Sequence, residues 1–294
     1  MLLDSIRASV HERSRRSRLR RTTRGLAAHV QLVFFLPGVA MSFFGALLAG
    51  DVTVSTAAVH GLAIGLAIYV AHLKDGYVDY YVREEDLDNP LSPTEIRAAI
   101  GVSSATFVSC VAFLWATTGT VPAALTAPLV VLGLLHAPHL DAAPATGVLD
   151  YPLGISLAIA GGYATQTGAL SAQVIAIAAV FLPLLAGINV LLDLLDYDHD
   201  RRVPKRTIPV VVGPDAARPV AWAFVVAAVA LLIFSSALGI LPPQAALAGV
   251  FPLGAAVACV MGGLATDRAV SLFIGSTYLF AAALFFALRP GLLP

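Results

Sequence analysis

The feature that most constrains this chain is the recurrence of apolar runs of about 20 residues, long enough to cross the hydrocarbon core of a bilayer. They fall at approximately 27–49, 53–73, 97–118, 121–138, 151–168, 171–192, 215–238, 243–264 and 268–288. Only 12% of the 294 residues are charged and mean hydropathy is +0.84. A soluble domain carries about 25% charged residues. The expectation is an all-α polytopic membrane protein with nine transmembrane helices around a central cavity. The fourth and fifth runs are short or broken by Pro and Gly, so their edges are the least defined. Cys110 and Cys259 both sit inside apolar runs and read as small buried hydrophobes. No cleavable signal peptide is evident.

The charges are segregated. Residues 1–25 carry eight arginines against Asp4 and Glu12. This reads as a basic arm held at anionic headgroups of membrane lipid on the cytoplasmic side, ahead of a single transmembrane domain spanning 26–294. No nucleic-acid-binding module accompanies it, so no nucleic-acid partner is expected. Alternating nine spans from a cytoplasmic N-terminus leaves Arg289 as the one cation outside, with edge positions such as Arg97 and Arg268 counted inside. The expected topology is N-terminus in, C-terminus out, with the chemistry on the cytoplasmic side.

Two charged segments carry that chemistry. The second, Asn189 to Gly213, reads NVLLDLLDYDHDRRVPKRTIPVVVG and packs Asp193, Asp196, Asp198 and Asp200 into eight residues. On a continued helix, Asn189, Asp193, Asp196 and Asp200 share a face at spacings of four, three and four. The first segment, Lys74 to Ile96, places Asp75, Asp79 and Arg83 on one face every four residues. A stripe of carboxylates at a membrane edge repels itself unless divalent cations bridge it. Mg²⁺ favours oxygen ligands and is commonly held by one or two carboxylates plus substrate phosphates. Two facing stripes could hold Mg²⁺ around a diphosphate, with Lys74, Arg83, Arg202, Lys205 and Arg206 neutralising the remaining phosphate charge. Glu84, Glu85, Asp86 and Asp88 read instead as solvated loop charges. His72 and His199 flank the clusters as outer-shell or solvated groups. There is no Gly-rich phosphate loop.

The stretch from Asp196 to Gly213 resembles the second aspartate motif of the UbiA superfamily of intramembrane prenyltransferases. That motif is a DxxxD followed by a K-x-T run ending in Gly, and Asp196, Asp200, Lys205, Thr207 and Gly213 fall in register. The family's first motif, NxxxDxxxD, is matched by Asp75, Asp79 and Arg83. The stretch Asn89 to Pro93 that follows is similar to the family's R-P-L-P-S. Two departures stand out. Arg83 replaces the last aspartate of the first motif. The loop after the fourth span, where many members carry Y-x-P-P-L and then a cation, reads His136-Ala137-Pro138-His139-Leu140-Asp141.

The resemblance implies a Mg²⁺-dependent enzyme in which Asp79, Asp196 and Asp200 are catalytic, with Asp75 and Asp193 as further metal ligands or supports. It implies ionisation of a prenyl diphosphate to an allylic cation, for which Tyr77, Tyr80, Tyr81, Tyr151 and Tyr163 are candidate stabilising faces. The expected activity is transfer of the allylic group to a lipophilic acceptor such as a quinone precursor, glycerol lipid or carotenoid. The alternative is a UbiA-type terpene cyclase, which closes the chain on itself without acceptor. A remote alternative is a transporter, which would place its charges near the bilayer midplane. Polar groups beyond the diphosphate site would favour transfer, and an all-apolar aromatic cavity would favour cyclisation.

Overall fold

The structure, a computed structural model, describes residues 17–85 and 89–292. Among them there are helices and no strands. Seven helices are long and apolar enough to cross a membrane: α3 (Val54–Tyr81), α4 (Pro93–Thr118), the broken helix Thr120–Leu140, α8 (Ala172–Leu195), α11 (Pro214–Ala237), which follows the short α10 (Ile208–Val212), the segment Pro243–Gly262, which contains α12 (Val250–Gly262), and α13 (Thr266–Leu288). The pair α1 (Ser17–Ala28) and α2 (Leu32–Leu48), bent by 61°, makes an eighth span. The remaining expected span, 151–168, falls on α7 (Pro144–Thr167) and its capping residue Gly168; α7 is long enough but less apolar than the others. Seven or eight spans by length and composition therefore stand against the nine expected. The protein is an integral membrane protein.

Two helices outrun the bilayer, and this is what places the site. At 1.5 Å per residue, about 20 residues cover a hydrocarbon core of about 30 Å. Twenty residues into α3 the chain reaches Leu73, with Asp75 and Asp79 in the turns beyond. In α8 the same length ends near Leu191, and Asp193 follows. Apolar runs cut to the bilayer thus deliver both sets of carboxylates to one end of the bundle. α8 stops at Leu195 because Asp196 leaves helical geometry, and a one-turn helix, α9 (Tyr197–Asp200), carries Asp200 inward while Asp198 faces out.

The other charged-end connections are fixed by local chemistry. α4 opens with a capping box in which the Ser92 side chain receives the Glu95 N–H while Glu95 accepts from the Ser92 backbone N–H, and Pro93 occupies the first turn. Glu95 also accepts from Thr22 Oγ1 at 2.7 Å, which ties α1 to the start of α4. The fourth expected span is divided as its composition predicts, into α5 (Thr120–Thr126) and α6 (Pro128–Leu135), with Pro128 at the break. After α6 the backbone leaves helical geometry at Ala137 before a tight turn ends at Leu140. That turn swings His136 and Asp141 toward the bundle interior.

The core is built on α8, which packs against α7 and α11, while α2 lies against α7 and α3 against α4. α2 and α7 touch backbone to backbone. A Cβ on Gly45 would overlap the Ile159 carbonyl, and one on Gly162 would overlap the Ser42 carbonyl. Small residues permit such approach where lipid supplies no hydrophobic drive between helices.

Candidate active site

A cavity of about 310 Å³ opens at the charged end, bounded by α2, α3, α6, α7, α8 and the loop after α9. Its deeper lining is apolar, including Ile64, Ala67, Ile68, Leu129, Leu132 and Ile155. Its polar end gathers Asp75 from α3, Asn189 and Asp193 from α8, then Asp196, Asp200, Lys205 and Thr207. Asn189, Asp193, Asp196 and Asp200 line this cavity together, although the single continued helix expected for them breaks at Asp196 and Asp200 sits on the separate α9.

Asp200 is only 5% exposed. Burial pushes its carboxyl above the usual range, and Lys205 pulls it back. Burial disfavours the Lys205 ammonium, but Asp79, Glu85, Asp75 and Asp200 around it outweigh this and hold its pKa above the ordinary lysine value. Lys205 is thus a fixed cation at the rim of an anionic bowl.

The first motif is arranged differently. Asp79 accepts from Arg83 Nη1 at 3.2 Å and is not part of the cavity lining. The same nitrogen donates to Asp141 Oδ2 at 2.6 Å, and Arg83 Nε lies 3.7 Å from Glu85. The Arg83 side chain is 4% exposed and committed to three carboxylates; it does not itself line the cavity, although its partner Asp141 does. Glu85, read from sequence as a solvated loop charge, is equally buried. It meets Arg83, His199 Nε2 at 3.1 Å and Lys205 Nζ at 3.6 Å. Solvation was the wrong expectation because Arg83 folds back beneath the loop and the second motif closes over it. Asp86 and Asp88 lie outside the described residues, as does the arm before Ser17.

The other candidates divide clearly. Tyr151 lines the cavity, donates to the Phe34 carbonyl at 3.2 Å and stands edge-on to the Phe34 ring at 5.5 Å. Tyr77 and Tyr81 instead pack around Leu73, Leu91 and Ile96. Tyr81 donates to the Leu91 carbonyl, and Tyr77 receives a hydrogen bond from Arg97. Tyr163 packs in the core against other helices. Lys74 sits over the Tyr77 ring at 6.0 Å, and Arg202 and Arg206 are exposed. None of these six lines the cavity.

Residues that carried no role in the sequence reading also line it, chiefly Gln31, His136 and Asp150. His136 Nδ1 lies 2.6 Å from Asp150 Oδ2. The usable signal was a lone carboxylate, Asp150, at the mouth of an apolar run, since such a charge needs a partner.

Among the described residues, no three His, Cys, Asp or Glu side chains converge on one point closely enough to hold a metal by themselves. The donor set of Asn189, Asp193, Asp196 and Asp200 nevertheless suits Mg²⁺, an oxygen-seeking ion that completes its shell with water and substrate phosphate.

A bowl of carboxylates with one lysine, set on an apolar recess within a membrane bundle, defines an intramembrane enzyme for an amphiphile with a phosphorylated head. No protein-family model matches the sequence. A digeranylgeranylglyceryl phosphate synthase of Halobacterium salinarum is 33% identical over 217 residues, covering 71% of this chain and 76% of that protein. Among solved structures, that of a digeranylgeranylglyceryl phosphate synthase matches 93% of this chain and 99% of its own, with TM-score 0.72 and 12% identity. A UbiA homologue of Archaeoglobus fulgidus bound to GPP and Mg²⁺ matches 92% of this chain and 99% of its own, with TM-score 0.68 and 17% identity. The chain belongs to the UbiA superfamily of intramembrane prenyltransferases. It is a prenyltransferase by that membership.

Proposed function

We propose that the chain binds a prenyl diphosphate with Mg²⁺ and transfers its allylic group to a lipophilic acceptor. One observation carries this: Asp193, Asp196, Asp200 and Lys205 lie at the polar end of the same cavity whose other reach is apolar. The tail belongs in that recess and the diphosphate at the aspartates. Asp196 and Asp200, with Asn189 and Asp193 beside them, would hold Mg²⁺, and Lys205 would contact phosphate directly. The metal, when bound, withdraws charge from the leaving diphosphate. The edge-on Phe34 and Tyr151 rings line the same cavity and would supply aromatic surface to an allylic cation.

Asp79 takes an indirect part in this reading, since Arg83 already neutralises it. Polar groups outside the aspartate bowl, Gln31 and the His136–Asp150 pair, support transfer to an acceptor over cyclisation. The orientation that fits the charge distribution places the N-terminal arm of residues 1–25 and the cavity mouth in the cytoplasm and the C-terminus outside, with 26–294 as one membrane domain.

The test is incubation of the purified protein with geranyl, farnesyl and geranylgeranyl diphosphates and Mg²⁺, with and without acceptor, followed by mass spectrometry of the extract. Mg²⁺-dependent diphosphate release with a prenylated acceptor is the expected result. A cyclic hydrocarbon or alcohol formed without acceptor would defeat the transfer reading.

A further inference from the structure

The His136–Asp150 pair stands where the resembled motif carries a tyrosine and later a cation, and the aspartate bowl does not use it. Asp150 reaches in from α7 with its side chain 9% exposed and takes Nδ1 of His136 at 2.6 Å. That contact fixes the ring and leaves Nε2 as the free edge. His136 is 31% exposed, in a cavity it helps to line, so Nε2 is open to a ligand. Across from it, Asp75 Oδ1 lies 4.0 Å away, too far for a hydrogen bond. The gap is wide enough for one oxygen to sit within about 2.8 Å of both atoms. A prenyl tail has no group for such a place, and the diphosphate is already assigned to Asp196, Asp200 and Lys205. A hydroxyl, which both donates and accepts, matches an imidazole edge opposed to a carboxylate.

From this geometry we infer that His136, clamped by Asp150 and opposed by Asp75, is the seat of the acceptor's head, and that the acceptor presents an alcohol hydroxyl. The inference rests on the prenyltransfer reading above and adds the chemical class of the second substrate. The seat adjoins the diphosphate bowl and shares Asp75 with it, but its other two residues come from elsewhere: His136 and Asp150 come from the turn after α6 and from α7, whereas Asp193, Asp196 and Asp200 come from α8 and the turn after it. The clamp matters as much as the ring. Without Asp150 the imidazole is free to rotate, and without the imidazole the Asp150 carboxylate is left facing the cavity alone.

The experiment measures steady-state kinetics of wild type, His136→Leu, His136→Gln and Asp150→Asn with geranylgeranyl diphosphate as donor. The acceptor probes are a monoalkyl glyceryl phosphate with a free hydroxyl and a phenolic quinone precursor. For His136→Leu the hydroxyl acceptor's KM is expected to rise about tenfold, the order set by one charge-coupled hydrogen bond. The donor's KM moves several-fold less, and His136→Gln recovers most of the loss. Asp150→Asn gives an intermediate acceptor KM. Equal rises in the two KM values, or no recovery in His136→Gln, would show a structural or diphosphate role and overturn the inference. Prenylation of the phenol and never of the alcohol by wild type would also overturn it, leaving prenyltransfer intact. A wild type that releases no diphosphate with either acceptor would defeat the prenyltransfer reading, and the seat with it.

Discussion

Arg83 is the residue that sets this chain apart. A guanidinium that bridges Asp79, Asp141 and Glu85 inside the protein gathers permanently the kind of carboxylates that a divalent ion would gather reversibly. Arg83→Met would strand Asp79 and Asp141 with little solvent and leave Glu85 to His199 and Lys205. Breaking a buried charge network in this way costs about 3–5 kcal/mol. A clear drop in the thermal unfolding midpoint in detergent is expected, measured without substrate. Asp196→Ala and Asp200→Ala act at the other pole, and each is expected to reduce Mg²⁺-dependent diphosphate release at least ~100-fold. Near-normal turnover in either would defeat their assignment. The aspartates were legible because helical spacing alone puts Asn189, Asp193, Asp196 and Asp200 on one face. The neighbours of Arg83 were not, because its reach to Asp141 spans 58 residues and no local pattern encodes it. His136 and Asp150 escaped notice for a related reason: 14 residues and a non-helical turn separate them, so no periodicity links them.

Helices were the easiest elements to read, since each apolar run is cut to the bilayer. Their seams are a different matter. The α2–α7 contact depends on Gly45 and Gly162, and nothing in their immediate sequence distinguishes them from Gly275, around which a Cβ would meet nothing. Gly162→Leu is expected to destabilise by about 1–3 kcal/mol through forced separation of the helices. Gly275→Ala should leave stability unchanged or slightly raised, because alanine is the better helix former. Thermal midpoints of the two variants, measured side by side, check this. Equal effects would mean that the crossing is not held by close backbone approach. The break between α5 and α6 was foreseeable from Pro128. The direction in which it aims His136 was not, because that depends on the non-helical turn packing against α3 and α7.

At the scale of the molecule, the charge distribution and the fold agree on one chemical end. Chelation of Mg²⁺ with EDTA is expected to stop diphosphate release fully and reversibly, with activity returning on Mg²⁺ addition. A phosphatase reporter that is active only outside the cytoplasm, fused after Pro294, is expected to be active, and one fused within the loop at Arg202 inactive. The reverse pattern would invert the topology. The two charged loops also meet through Glu85, which holds Lys205 at 3.6 Å while Lys205 faces the cavity. If Lys205 contacts phosphate as proposed, an arriving phosphate would compete with Glu85 for one ammonium. Entry and departure would then both be exchanges of partners, with an internal anion in place to reclaim the lysine. The protein would carry its own stand-in for the leaving group, so that the emptied site leaves no bare charge above the low-dielectric recess.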